Sequence, residues 1–115
     1  MPNISITCAK ELSAESKDRL QKEIGASMGL IPGKTIDNTV IMITGGCAMF
    51  KGGNPFDGAF VDIRLFKESP DAAKKAFSEK LFQIFESVLK IPPAGVQINF
   101  IELPRWASAG VYRDE

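Results

Sequence analysis

Residues 59–66 read Ala59-Phe60-Val61-Asp62-Ile63-Arg64-Leu65-Phe66, and the alternation in this octet decides the fold. Ala59, Val61, Ile63 and Leu65 point one way while Phe60, Asp62, Arg64 and Phe66 point the other, the period-two pattern of a strand with one buried face. Ser69-Pro70 follows, read as an N-cap and a proline at the first helical position. Beyond it Ala73, Phe77, Leu81, Ile84, Phe85 and Val88 share one face of a helix. That helix stops before Ile91-Pro92-Pro93, and Val96 to Glu102 alternates again as a strand.

The first half of the chain follows the same plan. Asn3 to Cys8 alternates polar and apolar; Ser13 caps a helix whose stripe is Leu20, Ile24 and Met28; Gly29 and Pro32 stop it; Thr39 to Thr44 is a β-branched run. Leu30-Ile31-Pro32 and Lys90-Ile91-Pro92 occupy matching places after each helix. The chain is therefore read as one α+β domain over 1–115, built from β-α-β pseudo-repeats at 2–44 and 59–102. A helical crossover joins parallel neighbours, so the expectation is a four-stranded mixed sheet with both helices on one face.

The other face of that sheet carries Asn3, Ser5, Thr7, Phe60, Asp62, Arg64, Phe66, Gln97, Asn99 and Ile101. Large apolar groups among charges and amides suit a surface shared with other subunits better than one facing only water. Between the repeats, the glycine-rich connector 45–58 carries Met49, Phe50 and Phe56, the composition of an ordered loop that packs on something.

Composition removes several classes of function. Lys plus Arg equals Asp plus Glu at 14 each, so no net field recruits nucleic acid or an anionic membrane. No apolar run approaches the ~20 residues of a membrane span, and the N-terminus lacks a signal-peptide pattern, which points to the cytoplasm. The chain has no histidine, which excludes Ser-His-Asp and Cys-His catalysis. Cys8 and Cys47 alone supply neither a zinc site nor a disulfide framework, so no metal is expected. Gly29 to Thr35 resembles a phosphate-binding loop, but it has three residues between glycines where four are needed and follows a helix.

With histidine absent, the candidate base is Pro2. Once Met1 is removed, its ring nitrogen is a secondary amine; an α-amino group titrates near pKa ~8 and apolar surroundings lower that value. With Met1 attached, the same nitrogen is an amide and carries no basic lone pair.

Pro2, the doubled β-α-β pattern, Met49-Phe50-Lys51-Gly52-Gly53 and Gln97-Ile98-Asn99-Phe100 together resemble the tautomerase superfamily, and within it the branch of macrophage migration inhibitory factor. The resemblance spans nearly the whole chain. It implies a homotrimer with sheets around a central channel and active sites at subunit boundaries. It also implies cofactor-independent keto–enol tautomerisation of 2-oxo or arylpyruvate-like acids, with the proline as base.

Carried over residue by residue, the resemblance makes Phe66 a pocket-wall residue and Asn99 a donor to a substrate oxygen. Gln97 stands where the cytokine branch has a tyrosine, and Arg64 where it has a histidine. Leu30 stands in place of the family's lysine, with Lys34 four residues on as its substitute. Trp106 and Val111 lie in the segment that borders a neighbour's pocket. Arg64 is the first choice for the substrate carboxylate, because a guanidinium binds a carboxylate bidentately; an ion pair with Asp62 or a trimer contact is its structural alternative. The cytokine's Cys-x-x-Cys is replaced by Gly58-Ala59-Phe60-Val61. Two other readings stand beside the tautomerase: a non-catalytic trimeric binding module, and an isomerase or hydratase of unsaturated acids.

Overall fold

A computed structural model describes residues 1–115. Its elements are β1 (Asn3–Cys8), α1 (Ala14–Ala26), β2 (Val40–Thr44), β3 (Phe50–Lys51), β4 (Asn54–Pro55), β5 (Ala59–Phe66), α2 (Asp71–Leu89), β6 (Val96–Leu103), β7 (Trp106–Ser108) and β8 (Val111–Arg113). The main sheet runs β2-β1-β5-β6. β1 pairs in parallel with β2 and β5 with β6, while β1 and β5 meet antiparallel as the seam between the repeats. This is the mixed four-stranded α+β arrangement expected from the alternation and the crossover helices. No helix is long and apolar enough to cross a membrane.

The core lies between the sheet and the two helices. Ile4, Ile6, Val61, Ile63 and Leu65 project from the sheet onto Leu20, Ile24, Phe77, Leu81 and Phe85, every one fully or almost fully buried. Burying a side chain of this size contributes about 1.5–3 kcal/mol. Truncating Phe85 to alanine would cost about 3–5 kcal/mol, because the cavity left behind adds to the lost transfer energy.

Local details differ from the sequence reading at the helix ends. Ser13 does cap α1, its Oγ accepting the Ser16 amide at 3.0 Å. The helix, however, ends at Ala26, before Gly29, and Met28 reaches the core from a short 3₁₀ turn (Met28–Leu30). At α2, Ser69 is not the cap. Pro70 takes that position and its carbonyl accepts the Ala73 and Lys74 amides, while the Ser69 amide turns away to Glu102 Oε2 at 2.6 Å. The Ser69 amide is thereby held by a carboxylate on β6, a charge-assisted bond.

The sheet's second face is uncovered and organised in rows: Val40–Asn3–Arg64–Ile101, then Met42–Ser5–Asp62–Asn99, then Thr44–Thr7–Phe60–Gln97. Val40 and Met42 are about half exposed here. The connector forms the β3–β4 hairpin, turned by Gly52 and Gly53 at φ 58° and 81°, the two left-handed positions of a tight hairpin turn. It holds Phe50 69% exposed, an aromatic ring with no intrachain partner to cover it.

Candidate functional site at the N-terminus

Pro2 lies buried at the start of β1, its carbonyl accepting the Val40 amide at 3.1 Å. A proline is tolerated here because the residue precedes the ladder and has no amide hydrogen to place. The backbone around the candidate base is thus fixed by a neighbouring strand.

Three further segments converge on this end. The first is the turn Ile31-Pro32-Gly33-Lys34, in which the Lys34 amide returns to the Ile31 carbonyl at 3.1 Å and Gly33 has φ 76°. Proline followed by a left-handed glycine is the signature of a type II turn. The near-match to a phosphate loop is therefore a reversal, and it delivers the Lys34 side chain to the chain's first amino group. The second and third are β7 and β8, an antiparallel pair whose register sets Trp106 opposite Arg113 and Ser108 opposite Val111. The Ser108 hydroxyl donates to the Met1 sulfur at 2.9 Å, and Arg113 Nη1 donates to the same hydroxyl at 3.4 Å.

The electrostatics follow from this convergence. Burial pushes the Met1 α-amino group below its ordinary value near 8.0, and the Lys34 ammonium and the Arg113 guanidinium push it further down. An amine so placed is held toward its neutral, basic form.

The residues expected from sequence fall in several places. Lys34 acts on the Met1 amino group, one residue before Pro2, and Trp106 and Val111 lie on the β7–β8 hairpin that reaches Met1 through Ser108. Phe66 is half-buried, paired with Leu103, with the Lys67 ammonium 5.2 Å from its ring centre. Arg64 is exposed on the uncovered face, lining a shallow cleft of about 190 Å³ with Asn3, Ser5, Met42 and Asp62. It makes no ion pair with Asp62, which accepts Asn99 Nδ2 at 3.4 Å instead. Gln97 lies at the opposite end of the sheet, in a cleft of about 370 Å³ with Thr7, Phe50, Phe56 and Phe60. Within one chain it cannot meet Pro2, since the five residue steps from Pro2 to Thr7 span roughly 16 Å.

Ser108 and Arg113 escaped the sequence reading. The signal was Ala109-Gly110, a two-residue reversal that folds β8 back onto β7. Elsewhere, both cysteines are free thiols, and burial, with Asp57 adding, pushes Cys8 up to about 11. A thiol so protonated is a poor nucleophile.

No protein-family model matches this chain, and no curated protein matches it in sequence. Solved structures do. MIF2 of Leishmania major superposes with a TM-score of 0.89 at 14% identity, covering 98% of this chain and 97% of that one. A fused 4-oxalocrotonate tautomerase, described as an asymmetric trimer, superposes with a TM-score of 0.84 at 17% identity, covering 96% and 94%. Pt0534, described as inactivated by 2-oxo-3-pentynoate, gives 0.84 at 16% identity, covering 94% and 93%. The fold is that of the tautomerase superfamily. Within it, the chain resembles both the macrophage migration inhibitory factor-like structures and the 4-oxalocrotonate tautomerases.

Proposed function

We propose that the chain is a keto–enol tautomerase of 2-oxo or arylpyruvate-like acids, with the Pro2 amine as general base once Met1 is removed. The observation that carries this reading is a buried N-terminal proline, fixed to β2, whose preceding amine is flanked by two cations. The same cations that lower the amine's basicity can hold an anionic substrate against it. The inactivation of a protein of the same fold by a 2-oxo acid supports the substrate class.

In the proposed mechanism the neutral Pro2 nitrogen removes a proton from the carbon next to the 2-oxo group. Lys34 stabilises the negative charge that develops on oxygen, and the prolinium then returns the proton. No cofactor takes part. Phe66, Trp106 and Val111 form the apolar wall that keeps the amine's pKa low.

The assembly proposed is a cytoplasmic homotrimer, supported by the uncovered sheet face, by exposed Phe50 and by the trimeric neighbour of the same fold. Gln97 and Asn99 then reach a Pro2 site across a subunit boundary, which reconciles their distance from Pro2 within one chain. Arg64 lines the shared face in this reading. A non-catalytic trimeric module is the second reading, favoured by one observation: the Met1 sulfur accepts the Ser108 hydroxyl at 2.9 Å.

Mass spectrometry of the purified chain, sedimentation, and a phenylpyruvate ketonisation assay test the proposal together. A mass lacking Met1, a trimeric sedimentation coefficient and turnover above the buffer rate are expected. Retained Met1 with no turnover would leave the binding module.

A further inference from the structure

Resting on that reading of the N-terminal site, we infer that Arg113 is the ligand of the substrate carboxylate, positioned by Ser108 in the space that Met1 fills before processing. Nothing in the sequence pattern singles out Arg113, and its role comes from three contacts. β8 is the last strand, paired with β7 so that Arg113 faces Trp106. The Ser108 hydroxyl, carried on β7, bridges Arg113 Nη1 at 3.4 Å and the Met1 sulfur at 2.9 Å. Removing Met1 leaves that hydroxyl without its sulfur partner and opens the volume between the guanidinium and the new Pro2 amine.

What enters this volume must satisfy a half-buried arginine, a lysine and a hydroxyl around an amine. A 2-oxo acid has the matching groups: two carboxylate oxygens for the planar guanidinium and an adjacent oxo group for the compact Lys34 ammonium. Arg113 makes no ion pair within the chain, so its charge is free for a substrate anion. Arg64, by contrast, opens onto the uncovered face of the sheet rather than toward the Met1 sulfur. The division of labour is then that Arg113 binds the carboxylate and Lys34 stabilises the enolate oxygen. The β7–β8 hairpin contributes both the carboxylate ligand and, through Trp106, a wall of the site.

The test compares phenylpyruvate with its methyl ester, which enolises but lacks the negative charge. In the processed protein, Arg113→Gln should lower kcat/KM for phenylpyruvate by about tenfold or more, the usual consequence of losing a charged hydrogen bond. The loss should appear mainly in KM, and the value for the ester should change less than about threefold. Arg113→Lys should recover part of the loss, and Ser108→Ala should show a weaker version of the same pattern. Lys80→Gln, on the exposed side of α2, controls for the change in net charge. Equal losses on both substrates would make Arg113 a structural residue and overturn the proposal, as would no loss on either.

If the native protein turns over neither compound, the tautomerase reading fails, and binding decides the Arg113 assignment. Trp106, the only tryptophan, is cross-strand from Arg113, and its fluorescence reports occupancy. Quenching by phenylpyruvate but not by the ester, abolished in Arg113→Gln, would uphold the carboxylate site without the chemistry. The absence of that difference would reject it. Circular dichroism of each variant confirms that it is folded, and Ser108→Ala carries the test should Arg113→Gln fail to fold.

Discussion

The carbonyl of Pro2 accepts the Val40 amide at 3.1 Å, so the residue proposed as the base is tied to the first residue of the neighbouring parallel strand. That bond uses the carbonyl alone and leaves the ring nitrogen free of backbone duties. Pro2→Ala keeps the bond and replaces a secondary amine by a primary one. Stability should therefore change little while kcat on phenylpyruvate falls by about 10²-fold, the lower end of what a positioned base contributes. Equal turnover by both proteins would remove Pro2 from the mechanism.

Lys34 should shift the pH dependence. Burial first, and then the neighbouring Lys34 cation, hold the Met1 α-amino group below its ordinary value, and the Pro2 amine that replaces it after processing is expected to feel the same cation. The neutral amine is the active form, so kcat/KM rises with pH through this titration. Removing the neighbouring charge in Lys34→Met should raise the amine's pKa and move the acid limb of the profile to higher pH. A limb that stays in place or moves lower would separate Lys34 from the amine.

Acid stability should depend on Glu102. Its carboxylate accepts Lys74 Nζ at 2.8 Å and the Ser69 amide at 2.6 Å, and these bonds, Lys74 first, hold it below the usual carboxylate range. A carboxyl group depressed in the folded state contributes stability above its unfolded pKa of ~4.3. That contribution is lost as pH falls through the lower, folded value. Melting temperatures measured from pH 7 down to pH 2 should decline through this window. In Glu102→Gln they should start lower at pH 7 and lose part of the decline; a parallel curve would rule out the pairing as its source.

The β7–β8 hairpin carries a local strain that can be relieved. Ala109 and Gly110 turn it with φ 50° and 77°, and the left-handed region costs a residue with a Cβ about 1–2 kcal/mol. Asparagine tolerates that conformation, so Ala109→Asn should slow amide exchange across Trp106–Ser108 and Val111–Arg113, by about fivefold for 1 kcal/mol of local stability. Faster exchange would contradict the turn assignment.

Much of this molecule was legible along the chain because strand and helix periodicity are local properties. The octet at 59–66 forms β5 with its stated boundaries, and Phe77, Leu81, Ile84 and Phe85 are buried as their spacing implied. Local reading erred at the helix ends. Ser69 sits one residue before the cap, its amide held by Glu102 on β6, and Met28 entered the core from outside the helix that its spacing had extended. The Asp62–Arg64 ion pair, offered as the structural alternative for Arg64, does not form; Asp62 accepts Asn99, level with it on β6.

The sequence by itself determined the duplicated α+β plan, the apolar seat for the helices and the absence of imidazole chemistry, because each follows from residue type and short-range period. Only the tertiary structure decided which charges meet the N-terminus. Lys34 arrives by a proline-glycine turn, and Arg113 by a hairpin at the far end of the chain. Their proximity is set by packing across more than seventy positions, a separation over which residue spacing carries no geometric information.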